Sequence, residues 1–150
     1  MPAKSVVEPL PRELSAPMIQ RTLLLCLGSN HDQRENMGRA RRMLVEVLPS
    51  LRFTQELWTK PVGVSSSHYL NCLAYGETDR NFDDVHAMTK EIERALGRTR
   101  EGGQAPRVSI DIDIMQYGSE KHHLSDWDLD HMKALLAEYR LGKAPTEDLP

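Results

Sequence analysis

The octapeptide Val108-Ser-Ile-Asp-Ile-Asp-Ile-Met115 alternates apolar and polar side chains along nearly its whole length. A period of two puts Val108, Ile110, Ile112 and Ile114 on one side of an extended chain, and Ser109, Asp111, Asp113 and Met115 on the other. The pattern predicts a strand from Val108 to Tyr117 whose isoleucine face is core. Its other face is unusual, because aspartate is depleted in strands. The Cα atoms of Asp111 and Asp113 should stand about 6.5–7 Å apart. Like charges that close repel unless a cation lies between them, and a hard, oxygen-seeking ion such as magnesium suits such a pair. A strand with one wet, acidic face is the other reading. Spacing alone leaves both open.

The remaining segments supply partners for that strand. Thr22-Leu-Leu-Leu-Cys-Leu27 is a short apolar run closed by Gly28-Ser29-Asn30, which predicts a buried strand and a turn. Met37, Ala40, Leu44, Val47 and Leu48 recur at helical spacing between His31 and Pro49, with Arg39, Arg41 and Arg42 on a solvated face. Leu51 to Trp58 and Tyr69 to Glu77 read as further strands, separated by Lys60-Pro-Val-Gly63 and a serine run. Asn81 can cap a helix with an acidic first turn and the stripe Val85, Met88, Ile92, Leu96, stopped at Gly97. Ser125 and Asp128 predict a capping box for a last helix striped by Met132, Leu135, Leu136 and Tyr139. Strand, helix, strand, strand, helix, strand, helix is the order of an α+β, ferredoxin-like sandwich, with helices packed on one face of an antiparallel sheet. Residues 1–20 read as a flexible tail, 21–141 as one domain and 142–150 as a second tail.

Composition narrows the class. The 150 residues carry 19 Lys and Arg against 22 Asp and Glu, a net charge of −3 that argues against a general nucleic-acid binder. The longest apolar run, Leu23 to Leu27, is far shorter than the roughly 20 residues of a membrane helix. Cys26 and Cys72 lie in strand-like segments with no CxxC pair. The expectation is a cytoplasmic protein, monomer or weak homodimer, with no nucleic-acid or membrane partner.

Arg98, Arg100 and Arg107 flank the acidic strand through a glycine-bearing loop. Paired carboxylates with guanidinium groups beside them are what phosphoryl transfer needs: metal ions bridge phosphates while arginines neutralise developing charge.

With these segments in hand, the chain resembles a known family. Gly28-Ser29-Asn30, Thr59-Lys-Pro-Val-Gly63, Tyr69-Leu-Asn71 and Arg107-Val-Ser-Ile-Asp-Ile-Asp-Ile114 look like the motifs of the 6-hydroxymethyl-7,8-dihydropterin pyrophosphokinases, in the family's order, from about Thr22 to Gly118. The resemblance implies transfer of pyrophosphate from ATP to the hydroxymethyl group of a dihydropterin, releasing AMP, in folate biosynthesis. It further implies that Asp111 and Asp113 ligate two magnesium ions. Arg98 and Arg107 would stabilise the transferring group, and Arg100 would help hold ATP. Thr59, Val62, Tyr69 and Asn71 would bind the pterin, Tyr69 by stacking and Asn71 by hydrogen bonds to the ring's amide edge. A nucleotidyl or phosphoryl transferase, and a non-catalytic pterin- or nucleotide-binding module, are the competing readings.

The sequence departs from the family at three places. Arg107 lies four residues before Asp111, where three is usual, which predicts a bulge at Val108-Ser109. Glu101 stands where relatives often carry a cation. The usual C-terminal Pro-His element is replaced by His122-His-Leu-Ser-Asp-Trp-Asp-Leu-Asp-His131, in which Trp127 or His131 is a candidate second aromatic wall. A calcium loop is excluded there, since its sixth position is His131 and its twelfth Ala137. A metal-binding His122–His123 pair is disfavoured because adjacent side chains diverge on a regular element. An exposed, capped helix start is the expectation.

Overall fold

A computed structural model of the chain describes residues 19–60, 68–97 and 107–143. The expected tails fall almost wholly outside those residues. The apolar run becomes β1 (Arg21–Ser29), which is central because nothing in Leu23–Leu27 needs water. It pairs antiparallel with β4 (Tyr69–Thr78) on one side and β5 (Asp111–Tyr117) on the other. Two short pieces, β2 (Arg52–Phe53) and β3 (Leu57–Thr59), share the outer edge of β4, and β6 (Glu120–Lys121) forms a hairpin with β5. The order is β2-β4-β1-β5-β6, with β3 also on β4. With β2 and β3 counted as one interrupted strand, this is the ferredoxin-like α+β arrangement expected.

The single strand predicted for Leu51–Trp58 is broken at Thr54–Glu56. Thr54 still exchanges bonds with Leu73, through its backbone N–H and its hydroxyl, both at 2.9 Å. Gln55 instead turns its backbone N–H to the Glu138 carboxylate at 2.9 Å. A side chain from another element thus competes with the ladder and wins at one residue.

Two helices, α1 (Gln33–Val47) and α2 (Phe82–Ala95), cover one face of the sheet. Met37, Ala40 and Leu44 of α1 and Val85, Ile92 and Leu96 of the α2 segment pack on Leu23, Leu25, Leu27, Ile112 and Ile114. Each such buried aliphatic side chain contributes roughly 1.5–3 kcal/mol. Asn81 caps α2 through a 2.8 Å bond to the Asp84 N–H, and Gly97 ends it at φ 81°, as the sequence predicts. The third helix, α3 (Asp130–Lys143), covers the opposite face instead of joining the other two. Its Met132, Leu135, Leu136 and Tyr139 pack on Leu24, Leu73 and Met115. The predicted capping box does not form its start. Leu124–Asp128 is a 3-10 turn, and α3 begins only at Asp130.

The last strand is shorter than its alternating pattern predicts, because Val108–Ile110 leaves the regular ladder. Regular register continues from Gly28 opposite Asp111, which would set Ser109 opposite Asn30. The backbone N–H of Asn30 bonds Val108 O instead, at 2.9 Å, so this side carries one extra residue where the bulge is expected. A second irregularity lies farther along, opposite Leu24 and Leu25.

Candidate functional site

α3 covers only part of the second sheet face, and the site residues occupy the rest. Register fixes two transverse rows. Leu57, Asn71, Gly28 and Asp111 form one; Leu73, Cys26 and Asp113 form the next. Thr59 and Tyr69 pair beyond them at the end of β3 and β4. Asn71 and Asp111 therefore flank Gly28 on a common surface, about 9.5 Å apart across two strand spacings.

Gly28, lacking a side chain, lets the Asn71 amide and the Tyr69 ring close over the strand between them. A Cβ built there would meet Asn71 Oδ1 at 3.1 Å and the Tyr69 ring at 3.5 Å. Asn71 is 7 % exposed, and its Nδ2 donates to Thr59 Oγ1 at 3.0 Å, which fixes the amide's orientation. Among the sequence-predicted binding residues, the structure thus brings Thr59, Tyr69 and Asn71 together. Val62, Arg98, Arg100 and Glu101 lie outside the described residues. Arg107 is exposed and begins the segment leading to β5.

The turn Gly28-Ser29-Asn30 clamps that segment. Asn30 Oδ1 accepts the Val108 N–H at 2.7 Å, while Ser29 Oγ reaches His31 O at 3.1 Å and Val108 O at 3.4 Å. From the other side, the buried Glu93 carboxylate of α2 accepts the Ile112 N–H at 2.8 Å and a bond from Lys90 at 3.2 Å. Ile112 lies between the two aspartates, so Glu93 pins the backbone that carries both.

Asp111 and Asp113 are each half-buried on the same face. Burial pushes the Asp113 carboxyl above the usual carboxylate range, opposed by nearby His123 and Lys90 and reinforced by Glu93 and Asp126. Two oxygen-donor groups on one strand face suit magnesium. A third acidic group and an imidazole complete the surroundings: ligand atoms of Asp113, His123 and Asp126 all lie within 4.8 Å of one another.

His123 is exposed, as expected for this segment, and half-buried Asp126 stands beside Asp113. His123 caps the 3-10 turn in the left-handed region at φ 55°, and Asp126 lies within the turn. No residue pattern marks that left-handed cap, because Ser125 and Asp128 predict an α-helical start instead. Trp127 is tied into its own turn, its Nε1 donating to His122 O at 2.8 Å and Lys121 Nζ lying 4.7 Å from the ring centroid. His131 is half-buried in the first turn of α3.

Comparison with known proteins agrees with this geometry. Residues 24–144 match the family described as 7,8-dihydro-6-hydroxymethylpterin-pyrophosphokinase (HPPK). The chain belongs to this family. A folate synthesis bifunctional protein of Chlamydia muridarum is 36 % identical over 106 residues, covering 65 % of this chain and 23 % of that protein. A 2-amino-4-hydroxy-6-hydroxymethyldihydropteridine pyrophosphokinase of Bacillus subtilis is 32 % identical over 100 residues, covering 64 % of this chain and 59 % of that protein. The chain thus spans about a quarter and three fifths of the lengths of these two HPPK relatives. In HPPK terms, the matched region runs from within β1 to the end of α3. No helix of the described residues is long and apolar enough to cross a membrane.

Proposed function

We propose that this chain transfers pyrophosphate from ATP to 6-hydroxymethyl-7,8-dihydropterin, releasing AMP, in folate biosynthesis. One observation carries the reading beyond family membership. The Asp111–Asp113 pair and the Thr59–Asn71 pair share one sheet face, separated by a residue with no side chain. A polyanion held through the carboxylates and a flat heterocycle held by the amide would then lie side by side on that face.

In this reading the hydroxymethyl oxygen bonds to the β-phosphorus of ATP as its O–H bond breaks and the proton is released to solvent. The bond from that phosphorus to the oxygen bridging the α-phosphate breaks, and AMP leaves with that oxygen. Asn71, oriented by Thr59, reads the amide edge of the pterin; Tyr69 supplies an aromatic face; Val62 adds a loop contact. Asp111 and Asp113 hold two magnesium ions, which when bound neutralise the phosphates and orient them. Arg98 and Arg107 stabilise charge on the transferring group, and Arg100 holds the triphosphate. Catalysis is then mostly alignment of the hydroxyl with the β-phosphorus. The acidic net charge of −3 favours small-molecule substrates over nucleic acid, and the reading places a monomer or weak homodimer in the cytoplasm with no membrane partner.

The test is AMP release from ATP and magnesium with and without the dihydropterin. AMP that appears only with the pterin, without free pyrophosphate, supports the reading. Free pyrophosphate would indicate a nucleotidyl transferase, and calorimetric binding of both substrates without turnover would indicate a binding module.

A further inference from the structure

We infer that Asp113, His123 and Asp126 form a mixed imidazole–carboxylate site for a divalent transition ion, with zinc as the reference case. The three ligand atoms come from β5, from the residue that caps the 3-10 turn and from the turn itself, and all lie within 4.8 Å of one another. His123 Nε2 stands 3.9 Å from Asp113 Oδ1, too far for a direct hydrogen bond. Donors around one ion at bond lengths of about 2.0–2.2 Å stand about 3–4 Å apart. The spacing therefore leaves room for an ion between the groups and needs only a small closure to grip it.

The turn that presents His123 and Asp126 is held in place. The His122 N–H bonds Met115 O at 2.9 Å, which ties the turn to the strand bearing Asp113. Trp127 Nε1 closes back on His122 O at 2.8 Å, and the Asp126 N–H bonds His123 O at 2.9 Å. Packing of Trp127 against the Leu24–Met115 cluster anchors the turn from below. The backbone that carries both side chains is thus held beside Asp113, and the ordering left for a ligand to impose is chiefly that of the exposed His123 side chain.

The donor set decides the kind of ion. Carboxylate and water oxygens suit magnesium, whereas an imidazole nitrogen raises affinity along the first-row series toward zinc and copper. The site shares Asp113 with the carboxylate pair assigned above to magnesium, so a transition ion seated there would compete for that carboxylate. The inference stands apart from the proposed reaction, since it needs neither nucleotide nor pterin.

The experiment uses the full chain and metal salts alone. Calorimetric titration with zinc chloride and magnesium chloride should give tighter binding of zinc than of magnesium, because imidazole suits zinc whereas magnesium prefers carboxylate and water oxygens. His123→Ala should weaken zinc at least about 10-fold, since loss of even an outer-shell partner costs about 10–100-fold, while magnesium binding stays unchanged. Asp126→Asn should also weaken zinc. In the unaltered protein, zinc should shift the His123 imidazole resonances in an NMR titration, a readout independent of how the variants fold. Equal zinc affinity in His123→Ala and the parent, zinc no tighter than magnesium, or unmoved His123 resonances would overturn the site. Failure of AMP release in the separate assay would sink the reaction reading and leave these results intact.

Discussion

Glu93 on α2 and Ile112 on β5 are joined by a 2.8 Å bond from the Ile112 backbone N–H to Glu93 Oε2, and this bond lies between the two aspartates in sequence. A helix carboxylate, 4 % exposed, therefore holds the strand backbone from which both acidic side chains project.

Glu93→Ala would leave a buried N–H without its acceptor, and is expected to cost about 1–3 kcal/mol of stability. Glu93→Gln keeps an acceptor oxygen and should recover most of that loss. Urea denaturation of the three proteins checks the order. If Glu93→Ala matches the parent in stability, the pinning role is wrong.

Gly28→Ala would place a methyl group 3.1 Å from Asn71 Oδ1. The amide must move and strain its bond to Thr59, worth about 1 kcal/mol, so dihydropterin binding should weaken about fivefold. Fluorescence titration with the pterin reads the effect, with the far-ultraviolet circular dichroism spectrum unchanged.

Burial raises the Asp113 carboxyl above its ordinary value, so the folded protein holds that proton more tightly than the unfolded chain. The group's contribution to stability is therefore greatest at low pH and is lost as pH rises through the raised value. Asp113→Asn should make the metal-free protein more stable at pH 7, with the advantage fading as pH falls toward 4. It should also abolish magnesium-dependent turnover. Thermal melts across that range with chelator present are the check, and a variant less stable at pH 7 would contradict it.

Asn30→Ala would remove the acceptor that holds the Val108 N–H at 2.7 Å, next to Arg107. A destabilisation of about 1–3 kcal/mol is expected from the orphaned donor. If Arg107 acts on the transferring group, kcat should fall more than KM for ATP rises. Steady-state kinetics would show the reverse if the turn only supports ATP binding.

The two faces of β5 were legible in its alternation, and they appear as read: Ile112 and Ile114 against α1 and α2, Asp111 and Asp113 on the other side. The Asn81 cap and the Gly97 stop were equally readable, because both act within a few residues of themselves. The break at Thr54–Glu56 was not, since Gln55 leaves the ladder for a carboxylate 83 residues away. Nor was the side of the sheet chosen by α3. A stripe of apolar residues states that a helix is covered, and leaves open by which surface.

From the chain alone came the three long strands, the helical segments and the two acidic positions, because side-chain period and local backbone preference operate over a few residues. Only the folded arrangement decided that Gly28 separates Asn71 from Asp111, and that His123 and Asp126 come to Asp113. Those neighbours belong to different strands and a turn, and strand register and the docking of α3 set their distances.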